Sequence, residues 1–145
     1  MMMRRAGTIV SSELRPKSGL TILLVDDHDE LVDLFSHALE KAGHSVRTAW
    51  NGAMALQWLM VDPFDAIITD IRMPLLDGAR LYAKAVESRP ELASRFIFIT
   101  GHPVDPATAN FLDETRAPVL NKPFSIATLL ETLRGLSADG SAAGP

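Results

Sequence analysis

The sequence predicts an α/β fold: a doubly wound parallel sheet of five strands, with helices on both faces. Short apolar runs such as LTILLV and RFIFIT have the composition of strands that are buried on both faces. Each run is followed by a segment with apolar residues at helical spacing. Regular alternation of strands and helices favours a parallel sheet whose connections are right-handed crossovers. At 145 residues the chain is long enough for one domain with its own core.

The first part of the chain predicts two strand–helix units. A strand at residues 20–25 precedes a helix that ends at Gly43, a residue that favours a helix C-terminus. The apolar stripe of this helix is predicted to be Leu31, Leu34, Phe35, Ala38, Leu39 and Ala42. Residues 45–50 alternate only partly, which predicts an edge strand. Asn51 then begins a short helix that ends near Met60.

The third unit contains the most informative strand. Residues 66–70 are an apolar run that stops on one carboxylate, Asp70. Pro74 cannot donate a hydrogen bond to a sheet, so the strand ends before it. Asp77 is expected to cap the next helix, which stops before Pro90.

Two further units complete the sheet. Residues 95–100 predict a fourth buried strand. Asp105 followed by Pro106 is typical of a helix N-terminus. Residues 117–120 predict a short fifth strand, and Ser125 is expected to cap the last helix.

Composition limits the classes of function. The net charge of −4 argues against a nucleic-acid-binding surface, which needs a basic face. The absence of cysteine excludes disulfides and thiolate metal sites, and it fits a reducing compartment. No apolar run approaches the roughly 20 residues of a membrane helix. We therefore expect a cytoplasmic domain at residues 20–136, preceded by a mobile basic arm or linker (1–19) and followed by a flexible tail (137–145).

Polar side chains follow four of the predicted strands. Asp26 and Asp27 come after the first strand, Asp70 ends the third, Thr100 ends the fourth and Lys122 follows the fifth. Strand ends meet water, so one or two polar residues need no explanation. Three carboxylates, a hydroxyl and an ammonium at one sheet edge indicate a site, because ligands of such sheets bind at the carboxyl ends of the strands.

The chemistry of this set favours a hard metal ion and a phosphoryl group. Carboxylates about 4 Å apart repel by roughly 4 kcal/mol per pair at an effective dielectric constant of 20. Oxygen ligands without cysteine favour Mg²⁺ or Ca²⁺, and in proteins Mg²⁺ commonly has a phosphate group among its ligands. A carboxylate beside such an ion could act as the nucleophile and form an aspartyl phosphate. Lys122 and Thr100 would then contact the oxygens of the transferred group.

Four motifs in this order resemble the receiver domain of two-component response regulators. They are Asp26-Asp27, Asp70 with the following MP and DG, Thr100-Gly101, and Lys122-Pro123-Phe124. The resemblance covers about residues 20–136, and it extends to stand-alone receivers and to C-terminal receivers of hybrid histidine kinases. It implies a flavodoxin-like three-layer sandwich whose strand order is 2-1-3-4-5.

The resemblance implies a role for each acidic residue. Asp70 would be the phospho-acceptor. Asp27 and Asp70 would ligate Mg²⁺ directly, together with the main-chain carbonyl of Arg72. Asp26 would act on the metal mainly through water.

The resemblance also implies how the phosphoryl group is held. Lys122 would pair with it, and Thr100 would shift its hydroxyl toward it. Gly101 would leave an opening for the phosphodonor, and the Lys122–Pro123 bond is expected to be cis. The side chains of Arg72 and His102 would flank the phosphoryl group and alter its lifetime. The resemblance does not say whether they lengthen or shorten it.

The sequence departs from the family at Val119. The family usually has Tyr or Phe at this position, where the ring rotates inward with the threonine. A signal would therefore leave by another route, or the domain would only relay phosphate. Phe98 and Phe111 are near enough in sequence to substitute, but we expect both in the core. His28 is expected in the first helical turn, facing solvent.

The resemblance implies a signalling module rather than an enzyme with free substrate. It would take a phosphoryl group from a histidine kinase or phosphotransfer protein, and it would catalyse only its own phosphorylation and dephosphorylation. The expected partner surface is the face built by helix four, strand five and helix five. Neither nucleic acid nor membrane is an expected partner of this chain, and a weak homodimer is left open.

Three other functions compete with this one. A flavin-binding module of the same fold needs a Ser/Thr/Gly-rich loop where this chain has DDHDE. A phosphatase with an aspartate nucleophile needs a second acid two residues after it, where this chain has Arg72. A receiver without phosphorylation typically lacks one of the acids or the lysine, and all are present here.

Overall fold

The computed structural model describes residues 19–101 and 104–143, and only the backbone of 137–143. It contains one sheet of five parallel strands in the order β2-β1-β3-β4-β5. The strands are β1 (Thr21–Val25), β2 (Ser45–Ala49), β3 (Ala66–Asp70), β4 (Phe96–Thr100) and β5 (Val119–Asn121). This order is 2-1-3-4-5, and β2 lies at an edge, so both predictions are confirmed.

In the described part of the chain, four α-helices and one short 3-10 helix connect the strands, and a fifth α-helix follows β5. They are α1 (Asp29–Lys41), α2 (Gly52–Val61), α3 (Gly78–Ser88), the 3-10 helix Pro90–Arg95, α4 (Pro106–Thr115) and α5 (Ile126–Ala143). The predicted caps are confirmed at four N-termini. Asn51, Asp77, Asp105 and Ser125 each accept a hydrogen bond through the side chain from the backbone N–H three residues later.

Each face of the sheet carries its own apolar core, because successive side chains of a strand point to opposite faces. On one face Ile67 of β3 packs in a cluster with residues of α2, α3 and α4. On the other face Ile68 packs in a cluster with residues of α1 and α5. The domain is therefore the three-layer sandwich that the sequence predicted, and β3 is buried along its whole length.

The predicted apolar stripe of α1 is wrong at Leu34 and at Ala42, which are both exposed, and it left out the buried Val32. Leu34 is 62% exposed, while Val32, Phe35 and Leu39 are buried. The buried residues recur at intervals of three and four, which place them on one helix face. Leu34 lies about 100° around the helix from Phe35, and this rotation turns its side chain toward solvent.

Several element boundaries differ from the prediction. Leu20 and Trp50 lie outside β1 and β2 by one residue each. Arg95 ends the 3-10 helix and is not part of β4. The fifth strand is Val119–Asn121 and begins two residues later than predicted. Pro118, which directly precedes it, has no N–H to donate to a neighbouring strand. The backbone of α5 continues to Ala143, through residues that we assigned to the tail. Alanine favours helix, and this segment contains three alanines. The predicted basic arm at residues 1–19 lies outside the described residues except for Gly19.

Within residues 19–101 and 104–143, no helix combines the length and the apolar character that crossing a bilayer requires.

His44 connects α1 to the start of the sheet. Its Nδ1 accepts a hydrogen bond from the N–H of Leu20 at 3.0 Å. Partial burial lowers the pKa of His44 below its ordinary value. The imidazole is thus harder to protonate in the folded protein than in the unfolded chain, and protonation of Nδ1 would remove the acceptor of this bond.

We therefore expect acid to destabilise the fold through His44. As the pH falls through about 6.5, the ordinary pKa of histidine, the unfolded chain binds a proton before the folded protein does, so stability decreases. Between pH 7.5 and 5.5 the Tm of the native protein should fall by about 2 °C more than that of His44→Asn, whose amide oxygen can accept the same bond without titrating. His37→Asn is the matched control and should follow the native protein. Equal pH dependence of Tm in the native protein and His44→Asn would contradict this assignment.

Candidate functional site

The carboxyl edge of the sheet brings together the polar residues that the sequence placed at strand ends. Pairing of β1 with β3 and of β3 with β4 aligns the ends of these strands. Asp26 follows β1 directly and Asp70 is the last residue of β3. Lys122 follows β5, and Thr100 ends β4 beside it. Convergence at one edge, predicted from topology alone, is therefore observed.

Acidic side chains form a compact cluster at this edge. Asp26, Asp27, His28 and Asp70 each offer one ligand atom, and these atoms all lie within 4.8 Å of one another. Asp26 and Asp70 are only 3% and 4% exposed, whereas Asp27 and His28 are exposed. At such separations the carboxylates repel by several kcal/mol. The cluster therefore favours a bound cation.

Lys122 supplies one positive charge to the cluster. Its Nζ donates a hydrogen bond to Asp70 Oδ2 at 2.8 Å and lies 3.4 Å from Asp26 Oδ2. Partial burial on its own lowers the pKa of Lys122, but the hydrogen bond to Asp70 and the charges of Asp70 and Asp26 outweigh burial and raise the pKa. Lys122 is therefore an ammonium at neutral pH. One such charge cannot neutralise three carboxylates.

Both oxygens of Asp70 have defined partners. Oδ2 accepts from Lys122, and Oδ1 accepts from the backbone N–H of Arg72 at 2.9 Å. The main chain is held as well, because Ile71 donates its N–H to the carbonyl of Ile99 at 2.9 Å. The carboxylate is therefore fixed in orientation at the end of β3. The Lys122–Pro123 peptide bond is cis, as the resemblance implied.

His28 takes part in the acidic cluster, which the sequence analysis missed. The side chain is exposed, as expected, but Nδ1 lies 2.8 Å from Asp26 Oδ1 and 3.4 Å from Asp27 Oδ1. The hydrogen bond to Asp26, followed by the negative charge of that residue, raises the pKa of His28. The backbone N–H of His28 also donates to Asp26 Oδ1 at 2.9 Å. Asp followed two residues later by an exposed helix N-cap is a turn pattern that could have revealed this contact.

Thr100 is paired with a residue that the sequence analysis did not single out. Its hydroxyl donates to Asn121 Oδ1 at 2.7 Å. Both residues line an open cavity of about 460 Å³ together with Gly101, Val104, Leu112, Val119 and Lys122. Val119 leaves apolar surface exposed at this cavity, where the family usually has an aromatic ring.

The two phenylalanines considered as substitutes belong to an aromatic cluster in the core. Phe98 is fully buried, and its ring centroid lies 5.5 Å from that of the partly buried Phe111. Tyr82 packs edge-on against Phe111 at 5.5 Å and lies 5.9 Å from Phe98. Both phenylalanines are therefore packing residues, as expected.

Arg72 lies on the side of the site that faces α4. The hydrogen bonds that Asp105 accepts from Thr108 lower the pKa of Asp105, and the positive charge of Arg72 lowers it further. The backbone N–H of Arg72 orients Asp70. Ligation of a metal by the Arg72 carbonyl stays a prediction. His102, the other expected flanking residue, lies outside the described residues.

The donor set fits a divalent cation that prefers oxygen ligands. The cluster contains three carboxylates, two of them buried, and cysteine is absent from the chain. Asp26, Asp27 and Asp70 form an acidic pocket that could bind a metal. Their individual contributions as ligands remain predictions.

The fold and the site together define a class: a doubly wound α/β domain whose acidic pocket lies at the carboxyl edge of the sheet, beside a lysine. Residues 22–134 match the family of response regulator receiver domains, and the chain belongs to that family. Receiver domains are signalling domains of two-component systems, and they interact with histidine kinases or phosphotransfer proteins.

Relatives of known sequence and structure agree with this assignment. The chain is 37% identical over 112 residues to the response regulator receiver protein CpdR of Brucella abortus, covering 77% of this chain and 92% of CpdR. It is 30% identical over 116 residues to the sensor kinase CckA of the same organism, covering 79% of this chain but 12% of CckA. The crystal structure of a CheY-like response regulator receiver domain protein from Methanospirillum hungatei superposes with a TM-score of 0.77 at 26% identity, covering 84% of this chain and 96% of that one.

Proposed function

We propose that this receiver domain accepts a phosphoryl group on Asp70 from a histidine kinase or phosphotransfer protein, with Mg²⁺ as cofactor. One observation carries the proposal. The buried Asp70 carboxylate accepts a hydrogen bond from an ammonium at 2.8 Å and lies within a cluster of acidic side chains that favours a cation. A carboxylate in these surroundings can be a nucleophile toward phosphorus, because the groups that neutralise phosphoryl oxygens are already in place.

The transfer requires one bond to form and one to break. An Asp70 carboxylate oxygen bonds to phosphorus while the bond between phosphorus and the donor's imidazole nitrogen breaks, and the imidazole leaves. Mg²⁺, held by Asp27, Asp70 and the Arg72 carbonyl and contacted by Asp26 through water, would neutralise charge on the phosphoryl oxygens.

The remaining residues position the reacting groups. Arg72 N–H holds the orientation of Asp70 by its bond to Oδ1. Lys122 transfers its hydrogen bond from Asp70 Oδ2 to a phosphoryl oxygen, where the same ammonium is equally able to donate. Thr100 turns its hydroxyl toward the group. The protein thus contributes position and charge, and no proton has to be removed from the carboxylate nucleophile.

Phosphorylation would be read out at the surface of α4, β5 and α5. Lys122 directly follows β5, Thr100 ends the neighbouring β4, and the cavity beside them opens between α4 and β5. A protein partner would bind there, or phosphate would be relayed to a second phosphotransfer protein. We place this activity in the cytoplasm, with the domain acting alone or as part of a hybrid kinase.

The experiment is chemical phosphorylation. The protein is incubated with acetyl phosphate and Mg²⁺, and its intact mass is measured. We expect the mass of one phosphoryl group to be added, and removal of the metal with EDTA to prevent the addition. Absence of labelling, or labelling that is unaffected by EDTA, would refute the proposed function.

A further inference from the structure

Thr100 and Asn121 form a polar pair across the last two strands of the sheet. They are paired residues at the ends of β4 and β5, and the Thr100 hydroxyl donates to Asn121 Oδ1 at 2.7 Å. Lys122 fixes the same position from the main chain, since its N–H donates to the Thr100 carbonyl at 2.8 Å. The pair therefore couples the hydroxyl at the site to the residue that directly precedes the site lysine.

The two partners differ in exposure. Thr100 is 3% exposed, whereas Asn121 is exposed. A buried hydroxyl without a partner is costly, so Thr100 needs an acceptor at all times. An exposed amide can exchange its partner for water at little cost. Only the threonine therefore depends on this bond.

A hydroxyl has one proton and donates one hydrogen bond at a time. The Thr100 proton cannot serve Asn121 and a phosphoryl oxygen together. We propose that Asn121 is a positioning residue that retains the Thr100 hydroxyl in the unphosphorylated protein and competes with the phosphoryl group for it. This inference rests on the proposed phosphorylation of Asp70.

The competition has a defined direction. A hydrogen bond to a charged phosphoryl oxygen is roughly twice as strong as one to a neutral amide oxygen. The exchange therefore favours the phosphorylated arrangement, but the lost bond to Asn121 reduces the gain. Phosphorylation frees the Asn121 amide at the rim of the cavity that Val119 also lines. The change at the site thus alters an exposed side chain, and no aromatic ring has to rotate for this to happen.

The experiment measures binding of beryllofluoride, a mimic of the phosphoryl group, in the presence of Mg²⁺ by titration calorimetry. Asn121→Ala removes the acceptor of the Thr100 hydroxyl in the unliganded protein. In the complex the hydroxyl donates to beryllofluoride, so the substitution destabilises only the unliganded state. We expect this variant to bind beryllofluoride about 5-fold more tightly than the native protein, the equivalent of one neutral hydrogen bond.

Thr100→Val supplies the control for a general structural effect. It lacks the shared proton, so adding Asn121→Ala to it should leave the beryllofluoride affinity unchanged. Mg²⁺ affinity measured without beryllofluoride should be the same in the native protein and Asn121→Ala. Unchanged or weaker beryllofluoride binding by Asn121→Ala would overturn the inference, as would an equal gain in the Thr100→Val background.

A second measurement does not depend on affinity. The γ2-methyl resonance of Thr100 reports the rotamer of this side chain, and in unliganded Asn121→Ala it should shift toward its position in the native protein with beryllofluoride. A resonance that stays at the native unliganded position contradicts the proposal. Failure of the native protein both to bind beryllofluoride and to accept phosphate would instead refute the proposed function, so the two failures can be distinguished.

Discussion

Asp70→Asn is expected to reduce phosphorylation by acetyl phosphate at least about 100-fold, because an amide oxygen carries no full negative charge with which to attack phosphorus. The substitution keeps the shape of the side chain. The asparagine Oδ1 can still accept the Arg72 N–H that now bonds Asp70 at 2.9 Å. The loss should therefore be chemical and not a result of unfolding, which circular dichroism would verify.

Asp33→Asn is the matched control for that experiment. Asp33 is an exposed carboxylate on α1, outside the acidic cluster, so the same change of charge is made away from the site. Intact mass and peptide mapping of the phosphorylated protein should give native labelling for Asp33→Asn. Retained labelling in Asp70→Asn would assign the acceptor to another residue.

Gly78→Ala is expected to damage both stability and the site, although alanine normally stabilises a helix. Gly78 begins α3, and a Cβ there would lie 2.6 Å from the Asp70 carbonyl oxygen and 2.9 Å from Ile71 Cα. Neither backbone atom can give way easily, because Gly78 N–H also donates to the Ile71 carbonyl at 3.0 Å. We expect a loss of about 1–3 kcal/mol in the free energy of unfolding.

The same clash should slow phosphorylation. Relief requires the main chain of Asp70 and Ile71 to move, and a displaced nucleophile reduces the rate of transfer by about 10-fold or more. The rate is measured from intact mass at successive times with acetyl phosphate, at a temperature where the variant remains folded.

Gly135→Ala is the matched control, since the same substitution is made in an open position. Gly135 is an exposed residue of α5, and a Cβ there would meet nothing within 4 Å. Alanine should raise the free energy of unfolding by about 0.5–1 kcal/mol and leave phosphorylation unchanged. Urea unfolding of both variants tests the opposite signs, and stabilisation by Gly78→Ala would show that the backbone around Asp70 yields without cost.

Topology explains why so much of the site could be predicted. Once the strands are known to be parallel, the residues after them must meet at one edge, so Asp26, Asp70 and Lys122 could be grouped from their positions alone. Their contacts confirm the grouping. Helix caps were equally predictable because each depends on a side chain and a backbone N–H only three residues away.

Other features depend on side-chain directions that the sequence does not specify. Leu34 fits an apolar pattern, but the rotation of α1 against the sheet decides which of its apolar residues are buried. His28 and Asn121 form their contacts through rotamers and register between separate elements. Asn121 belongs to no sequence motif that would have marked it, and for His28 the only sequence signal is its position two residues after Asp26.

The strand order has a consequence for how the domain folds. Parallel neighbours cannot be joined by a tight turn, so each of the four pairings must wait for an intervening crossover to close. Such a chain has few short-range strand contacts, and non-local topologies of this kind fold slowly for their size. The acidic pocket draws on β1 and β3, whereas the lysine beside it follows the last strand, so Asp26 and Lys122 meet only when the sheet is complete. A cation that binds this pocket requires only that β1 and β3 are paired, whereas a phosphoryl group that also contacts Lys122 would recognise the fully assembled domain in preference to its folding intermediates.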